Sequence, residues 1–305
     1  MPKRILITGG KGYIGQYLAR YFSGEDVFIT TRRPRGEKER RMVLEEEESI
    51  IGVCRGMDIV IHTASIDERH IPQDPKKALL VNTYGTRQLY LDAAACGVKR
   101  FLYLSTFHVY GRTTDTIITE ETLTRPVSDY GLTHLFAEQY LRQLYPDNQM
   151  ETAVLRLTNG IGRPDQGVDK WYLVFNDFCR TAAREKRIVL KSNGLARRDF
   201  IAIPDICSAV GILTDANLPD FGIYNVSSQR TASIREIAKL VGSIYKELTG
   251  CELELALPDV TEEEIRRIKD FTVASKKLRT MGWQPRESIE AVIKNILTNE
   301  LGKDI

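Results

Sequence analysis

The first fifteen residues restrict the fold more than any other stretch. Arg4 to Thr8 read RILIT, a short apolar run rich in β-branched residues, and GGKGYIG follows at once from Gly9 to Gly15. A helical pattern then runs from about Ile14 to Phe22. A buried strand must therefore turn directly into a helix, and the glycines at Gly9, Gly12 and Gly15 permit that turn. They also let the backbone approach a pyrophosphate, which the free N–H groups and positive dipole end of a helix N-terminus would hold. A glycine-rich turn that binds nothing is the alternative. The position of the turn, between the first strand and the first helix of an alternating chain, favours the anion-binding reading over it.

The alternation continues along the chain. VFIT near Val27, DIVIH from Asp58, RFLYLS from Arg100 and TAVLRL from Thr152 read as strands, with helices near Ala78 to Ala95 and Tyr130 to Leu144 between them. Continuous apolar runs belong to strands covered on both faces, so the expected class is α/β, a Rossmann-type doubly wound parallel sheet with right-handed crossovers. After about Asn159 the alternation loosens around Gly160, Gly162, Pro164 and Gly167, and the last ninety residues show fewer parallel strands. The expected organisation is a nucleotide-binding domain over 1–160 with segments near 195–225 returning to it. A smaller, discontinuous lobe is expected mainly over 161–305. The run Glu45 to Glu48 reads as a solvated helix start.

Charge and cysteine usage exclude other classes. The 43 Lys and Arg nearly balance the 41 Asp and Glu, so the net charge of +2 gives no basic footprint for nucleic acid. The 305 residues include no apolar run of spanning length and no signal-peptide core near the first residue, so no membrane role is expected. Cys54, Cys96, Cys179, Cys207 and Cys251 form no CxxC pair and have no histidine at metal spacing. Reduced thiols, a cytoplasmic protein and no metal are expected.

At the end of the second strand the sequence reads ITTRRPR. A carboxylate there would accept the ribose hydroxyls of NAD, whereas arginine accommodates the 2′-phosphate of NADP. Thr31 stands near the acidic position and Arg32 and Arg33 follow, so NADP is the preferred cofactor, with NAD possible as the second choice. A solvated loop with incidental charge is the alternative for the two arginines.

The chain resembles the extended short-chain dehydrogenase/reductases, and within them the NAD-dependent epimerase/dehydratases that act on nucleotide-linked sugars. The motifs that carry the resemblance span nearly the whole chain: DIVIHTAS from Asp58, VNTYGT from Val81, FLYLSTFHVYG from Phe101, YGLTH from Tyr130, LRLTNGIG from Leu155, RRDFIAIPD from Arg197, YNVSS from Tyr224 and MGWQP from Met281. The resemblance implies a cofactor domain, a small lobe closing over a sugar nucleotide, and a homodimer. It places Gly9, Gly12, Tyr13, Ile14, Gly15, Ala64 and Asn82 on the cofactor side, with Glu45 a loose candidate near the adenine. Asn159 and Arg198 fall at positions that contact the substrate diphosphate. For Arg198 the alternative is a structural pair with Asp199 or Asp205.

The resemblance also implies a catalytic set of Thr106, Tyr130 and residue 134, where the family carries lysine. Residues i and i+4 share one helix face, so residue 134 stands beside Tyr130 and the cofactor ribose. Here it is His134. A histidine is mostly neutral at pH 7 and stabilises a phenolate less than lysine does. Proton donation to a carbonyl tolerates this better than proton removal from an alcohol, which tilts the reading towards reduction. A cofactor-binding protein with little turnover is the alternative. Where family dehydratases carry Asp-Glu after the threonine, this chain has Phe107 and His108, so keto-sugar reduction or epimerisation is expected and 4,6-dehydration is not. His108 reads equally as a second acid/base group or as packing, while Tyr110 and His62 read as structural. A steroid, flavonoid or amino-alcohol substrate fits less well, because it would leave Asn159 and Arg198 without a diphosphate.

Overall fold

The computed structural model describes residues 2–148 and 150–302. The strands are β1 (Arg4–Thr8), β2 (Asp26–Thr31), β3 (Glu39–Arg41), β4 (Ile59–His62), β5 (Arg100–Thr106), β6 (Ile117–Ile118), β7 (Glu151–Leu157), β8 (Asn159–Ile161), β9 (Arg187–Val189), β10 (Arg197–Ala202), β11 (Phe221–Val226), β12 (Thr231–Ser233), β13 (Glu254–Ala256) and β14 (Thr272–Val273). The helices are α1 (Tyr13–Tyr21), α2 (Pro75–Ala78), α3 (Thr86–Ala95), α4 (Asp129–Asn148), α5 (Val174–Glu185), α6 (Ile203–Asp215), α7 (Ile234–Thr249), α8 (Glu262–Arg266), α9 (Lys276–Thr280) and α10 (Ile289–Glu300). A π-helical segment, Leu79–Gly85, joins α2 to α3.

Seven strands form one parallel sheet in the order β11-β7-β5-β4-β1-β2-β3. The reversal of strand order beside β1 leaves a crevice beyond the carboxyl ends of β1 and β4, where open α/β sheets bind ligands. The apolar runs are buried as their composition requires: Ile5, Leu6 and Ile7 of β1 and Val60 and Ile61 of β4 are sealed from water. One face packs against Leu18 of α1 and Ile206 and Val210 of α6. The other packs against Leu89 and Tyr90 of α3 and Ala137 and Leu141 of α4. Helices on both faces make the sheet doubly wound.

A separate apolar core joins α5, α7 and α10 through residues such as Phe178, Val241 and Ile293. The smaller strands lie outside the main sheet, with β10 parallel to β8 and antiparallel to β12. Two features correct the sequence reading. The return expected near 195–225 is made by α6 and β11, and a later segment, in the stretch assigned to the smaller lobe, joins the same core through Leu278 and Trp283. Burial of the alternate residues Tyr224 and Val226, and of an indole whose N–H donates to the Ser208 hydroxyl at 2.9 Å, holds these late segments there. The acidic run is not the start of a longer helix: Glu47–Ser49 is one 3-10 turn, while Glu45 and Glu46 pair with Lys77 and Arg41 at 3.0 and 2.8 Å.

Candidate active site

A cleft of about 850 Å³ runs from the glycine turn to the start of α4. At the first end the lining is backbone. Gly9 has φ +66°, the left-handed region, and a Cβ there would sit 3.0 Å from the Ala64 Cα. A Cβ on Gly15 would fall 2.1 Å from the Gly9 carbonyl oxygen, so α1 rests directly on the turn. The Gly12 N–H donates to the Gly9 carbonyl at 2.7 Å, and no side chain caps α1. Its first-turn N–H groups are thus left without a side-chain acceptor, as an anion site requires. Thr8 fixes the facing loop, its hydroxyl oxygen accepting from the Thr63 and Ala64 N–H groups at 3.1 and 3.2 Å. The Tyr13 hydroxyl donates to the Gly162 carbonyl at 2.5 Å and accepts from Asn176 at 2.9 Å, tying the turn to α5. Burial pushes that phenol well above its ordinary pKa.

Gly9, Gly12, Tyr13, Ile14, Ala64, Thr31 and Arg32 line the cleft. Three expected cofactor residues do not. Gly15 acts from beneath, as the contact that lets α1 approach. Arg33 is exposed off the cleft, its N–H donating to the Thr31 hydroxyl at 3.3 Å. Asn82 is buried behind the wall, where its amide accepts from the Ile66 N–H at 2.7 Å and donates to the Ile66 carbonyl at 3.0 Å. It shapes the loop after β4 without reaching the cleft. Glu45 does line the cleft, and its carboxyl is lowered by Lys77 and Arg32 against the opposing effect of burial.

At the other end the lining is side chains. Thr106 ends β5, Tyr130 opens α4 and His134 stands one turn on, its ring edge-on to the tyrosine at 4.5 Å. Burial pushes the Tyr130 phenol up to about 12; the Thr106 hydrogen bond opposes this, and the nearby Glu68 and Asp67 charges add to it. Tyr130 is protonated at neutral pH. His134 is 2% exposed, and burial holds its pKa down to about 3, with His108 adding in the same direction. Its imidazole is neutral. His134 Nδ1 lies 2.7 Å from the Tyr103 hydroxyl, and Nε2 has no hydrogen-bond partner among the described residues.

His108 is edge-on to Tyr130 at 5.6 Å and lines the cleft. Burial lowers its pKa, Glu68 opposes that and Arg198 reinforces it. Phe107 turns off the cleft and stacks on Phe271 at 6.0 Å, and the buried Tyr110 hydroxyl donates to Asn225 at 2.7 Å. Asn159 and Arg198 both line the cleft, the Asn159 amide donating to the Asp199 carbonyl at 2.9 Å. The structural pairing considered for Arg198 is not formed. Asp199 instead accepts from the Thr158 hydroxyl at 2.7 Å and the Ser228 N–H at 2.9 Å. Asp205 accepts from the Arg286 and Glu287 N–H groups at 2.9 and 3.0 Å.

Two groups escaped the sequence reading. Glu138 and Arg156, 2% and 3% exposed, form a 2.6 Å ion pair under the site, and the Ser105 hydroxyl donates to Glu138 at 2.5 Å. The signals were available: Glu138 continues the i, i+4 series from Tyr130 and His134, and Arg156 interrupts an otherwise apolar strand. Across the cleft mouth, Asp67 accepts from Lys170, from the Tyr172 hydroxyl at 2.7 Å and from His70 at 2.6 Å. Burial opposes ionisation of Asp67, but these donors hold its carboxyl well below the usual range. No local pattern joins residues a hundred positions apart. Among the described residues no group of three His, Cys, Asp or Glu side chains could hold a metal, and no helix is long and apolar enough to cross a membrane.

The model of the NAD dependent epimerase/dehydratase family matches residues 5–227. GDP-6-deoxy-D-mannose reductase from Pseudomonas aeruginosa is 28% identical over 317 residues, covering 98% of this chain and 97% of that protein. The dTDP-D-glucose 4,6-dehydratase of Mus musculus is 24% identical, covering 96% and 87% respectively. A solved structure of RMD from Pseudomonas aeruginosa complexed with NADPH has a TM-score of 0.82 and 25% identity, covering 99% of this chain and all of that one.

Proposed function

Because the chain belongs to the NAD dependent epimerase/dehydratase family, we propose that it binds NADP(H) along the cleft and reduces or epimerises a nucleotide-linked keto sugar. The observation that carries this reading is the convergence of Thr106, Tyr130 and His134 in the same cleft as a glycine turn that has no room for a Cβ. The residues fit a dinucleotide: the open N–H groups at Tyr13 and Ile14 suit the pyrophosphate, Arg32 with Thr31 suits a 2′-phosphate, and the unpartnered His134 Nε2 needs an acceptor that a ribose hydroxyl supplies. NAD(H) is the alternative occupant. The bound nicotinamide supplies a hydride to a carbonyl carbon or withdraws one from an alcohol carbon.

The roles of the chain's own groups follow. Thr106 and Tyr130 hold the sugar oxygen, and Tyr130 gives its proton to that oxygen as the carbonyl is reduced. Burial keeps the Tyr130 phenol protonated, the state needed to give a proton to a carbonyl oxygen and the wrong one for taking a proton from an alcohol, which favours reduction. Arg198, exposed and in no ion pair among the described residues, offers a fork for the diphosphate, with Asn159 beside it. The lobe of α5, α7 and α10 closes over the sugar. Phe107, stacked away from the cleft, cannot act as the acid that 4,6-dehydration needs. The five free cysteines suit the reducing cytoplasm.

With a panel of nucleotide-linked keto sugars and NADPH, Tyr130→Phe is expected to lower turnover about 100-fold or more while leaving NADPH affinity unchanged. Equal turnover in variant and wild type would remove Tyr130 from the chemistry. A second reading is favoured by the neutral His134, namely a protein that binds the cofactor and transfers little hydride. Tight NADPH binding with no oxidation by any keto sugar would select it. A homodimer is proposed through Leu80 and Tyr84 of the π-helical segment and Phe136 of α4, exposed large apolar residues on two elements that pack together. Sedimentation is expected to give a dimer for the wild type and a monomer for Phe136→Glu, and a monomeric wild type would refute this.

A further inference from the structure

Of two buried histidines, His134 lines the cleft and His62 does not, and only His62 has a complete hydrogen-bond shell among the described residues. His62 Nδ1 is 2.6 Å from the Thr8 hydroxyl and Nε2 is 2.8 Å from the Thr86 hydroxyl. Thr86 spends its proton on the Asn82 carbonyl at 2.8 Å, so it accepts from Nε2–H. Thr8 already accepts two backbone N–H groups, so its own proton goes to Nδ1. His62 is thereby fixed as the Nε2–H tautomer with both nitrogens satisfied.

The same accounting applied to His134 leaves one group over. The Tyr103 hydroxyl, 2% exposed at the residue, has His134 Nδ1 as its hydrogen-bond partner at 2.7 Å. If Nδ1 carried the proton, two buried groups would be stranded, the phenol proton and the Nε2 lone pair. With the phenol donating to Nδ1, the single unpartnered group is Nε2–H. We propose that Tyr103 is a positioning residue that locks His134 in the Nε2–H tautomer, making it a neutral hydrogen-bond donor to a hydroxyl oxygen of the bound dinucleotide. The ligand half of this proposal rests on the cofactor reading above, whereas the tautomer half rests on the protein alone. A histidine so fixed supplies the hydrogen bond of a cation without its charge, which leaves Tyr130 protonated.

The test joins NMR of the cofactor-free protein, labelled with nitrogen-15 at histidine, to a double-mutant cycle on NADPH affinity. The wild type is expected to show His134 protonated at Nε2 and bare at Nδ1, and Tyr103→Phe to change that ring pattern. Tyr103→Phe should weaken NADPH binding roughly three- to tenfold. Lysine donates whatever its surroundings, so in a His134→Lys background the same change should alter affinity less than about twofold. A wild-type Nδ1–H tautomer, an unchanged ring pattern in Tyr103→Phe, or equal losses in both backgrounds would overturn the proposal. If the wild type bound neither NADPH nor NADH, the cofactor reading and the ligand half would fall together, and the spectrum would still decide the tautomer.

Discussion

The two ends of the cleft are built from different material. At the glycine end the working surface is main chain, held so closely that a single added carbon on Gly15 would lie 2.1 Å from a carbonyl oxygen. At the Tyr130 end it is side chains from β5 and from α4, stacked over the buried Glu138–Arg156 pair. A surface made of backbone at this spacing allows almost no change in residue type, since a Cβ would occupy space that main chain already fills. A surface made of side chains can keep its shape while its charges are exchanged, as the neutral His134 packed against Tyr130 shows.

Three experiments test that contrast. The largest effect is expected at the backbone end: Gly15→Ala should lose about 3 kcal/mol of stability by denaturant unfolding, because main chain must move to admit the methyl group. It should also lose dinucleotide binding. An unchanged midpoint would show that the turn is not tightly determined.

The next effect concerns the buried imidazoles. His62 and His134 have native pKa values near 3, lowered chiefly by burial, against about 6.5 in an unfolded chain. Between those values the unfolded chain takes up protons that the native state refuses. Stability from this source is therefore full above pH 6.5 and is lost as the pH falls towards 3. Each histidine should contribute a loss of about 1 kcal/mol between pH 7 and 5.5. His134→Gln should remove its share, and an identical pH dependence in variant and wild type would mean that His134 charges in the native state. The smallest effect is at the exposed rim, where Arg32→Ala should weaken NADPH binding by roughly tenfold or less and leave NADH binding alone. No change would return Arg32 to the status of a solvated loop charge.

The fold was readable because apolar strands and glycine punctuation are local signals, and β1, β2, β4, β5 and β7 lie where the runs predict. The return of β11 was expected from the segments near 195–225, but that of Trp283 was not, since it declares itself only through partners far along the chain. The same division runs through the site. Gly9, Gly12, Arg32, Thr106, Tyr130 and His134 were found from motifs, and all of them line the cleft. Asn82 and Arg33 show where a motif position and a cleft-facing side chain part company. Asn82 serves the Ile66 backbone, and Arg33 points off the wall. The Asp67, Lys170 and Tyr172 network needed the fold to bring it together.

The glycine turn and Tyr130 are proposed to serve one bound dinucleotide. The most direct test is equilibrium titration of the purified, cofactor-stripped wild type with NADPH and with NADH, after identifying by mass whatever dinucleotide the protein released on denaturation. One equivalent of NADPH binding more tightly than NADH is the expected result. Failure to bind either dinucleotide would contradict the account at both ends of the cleft.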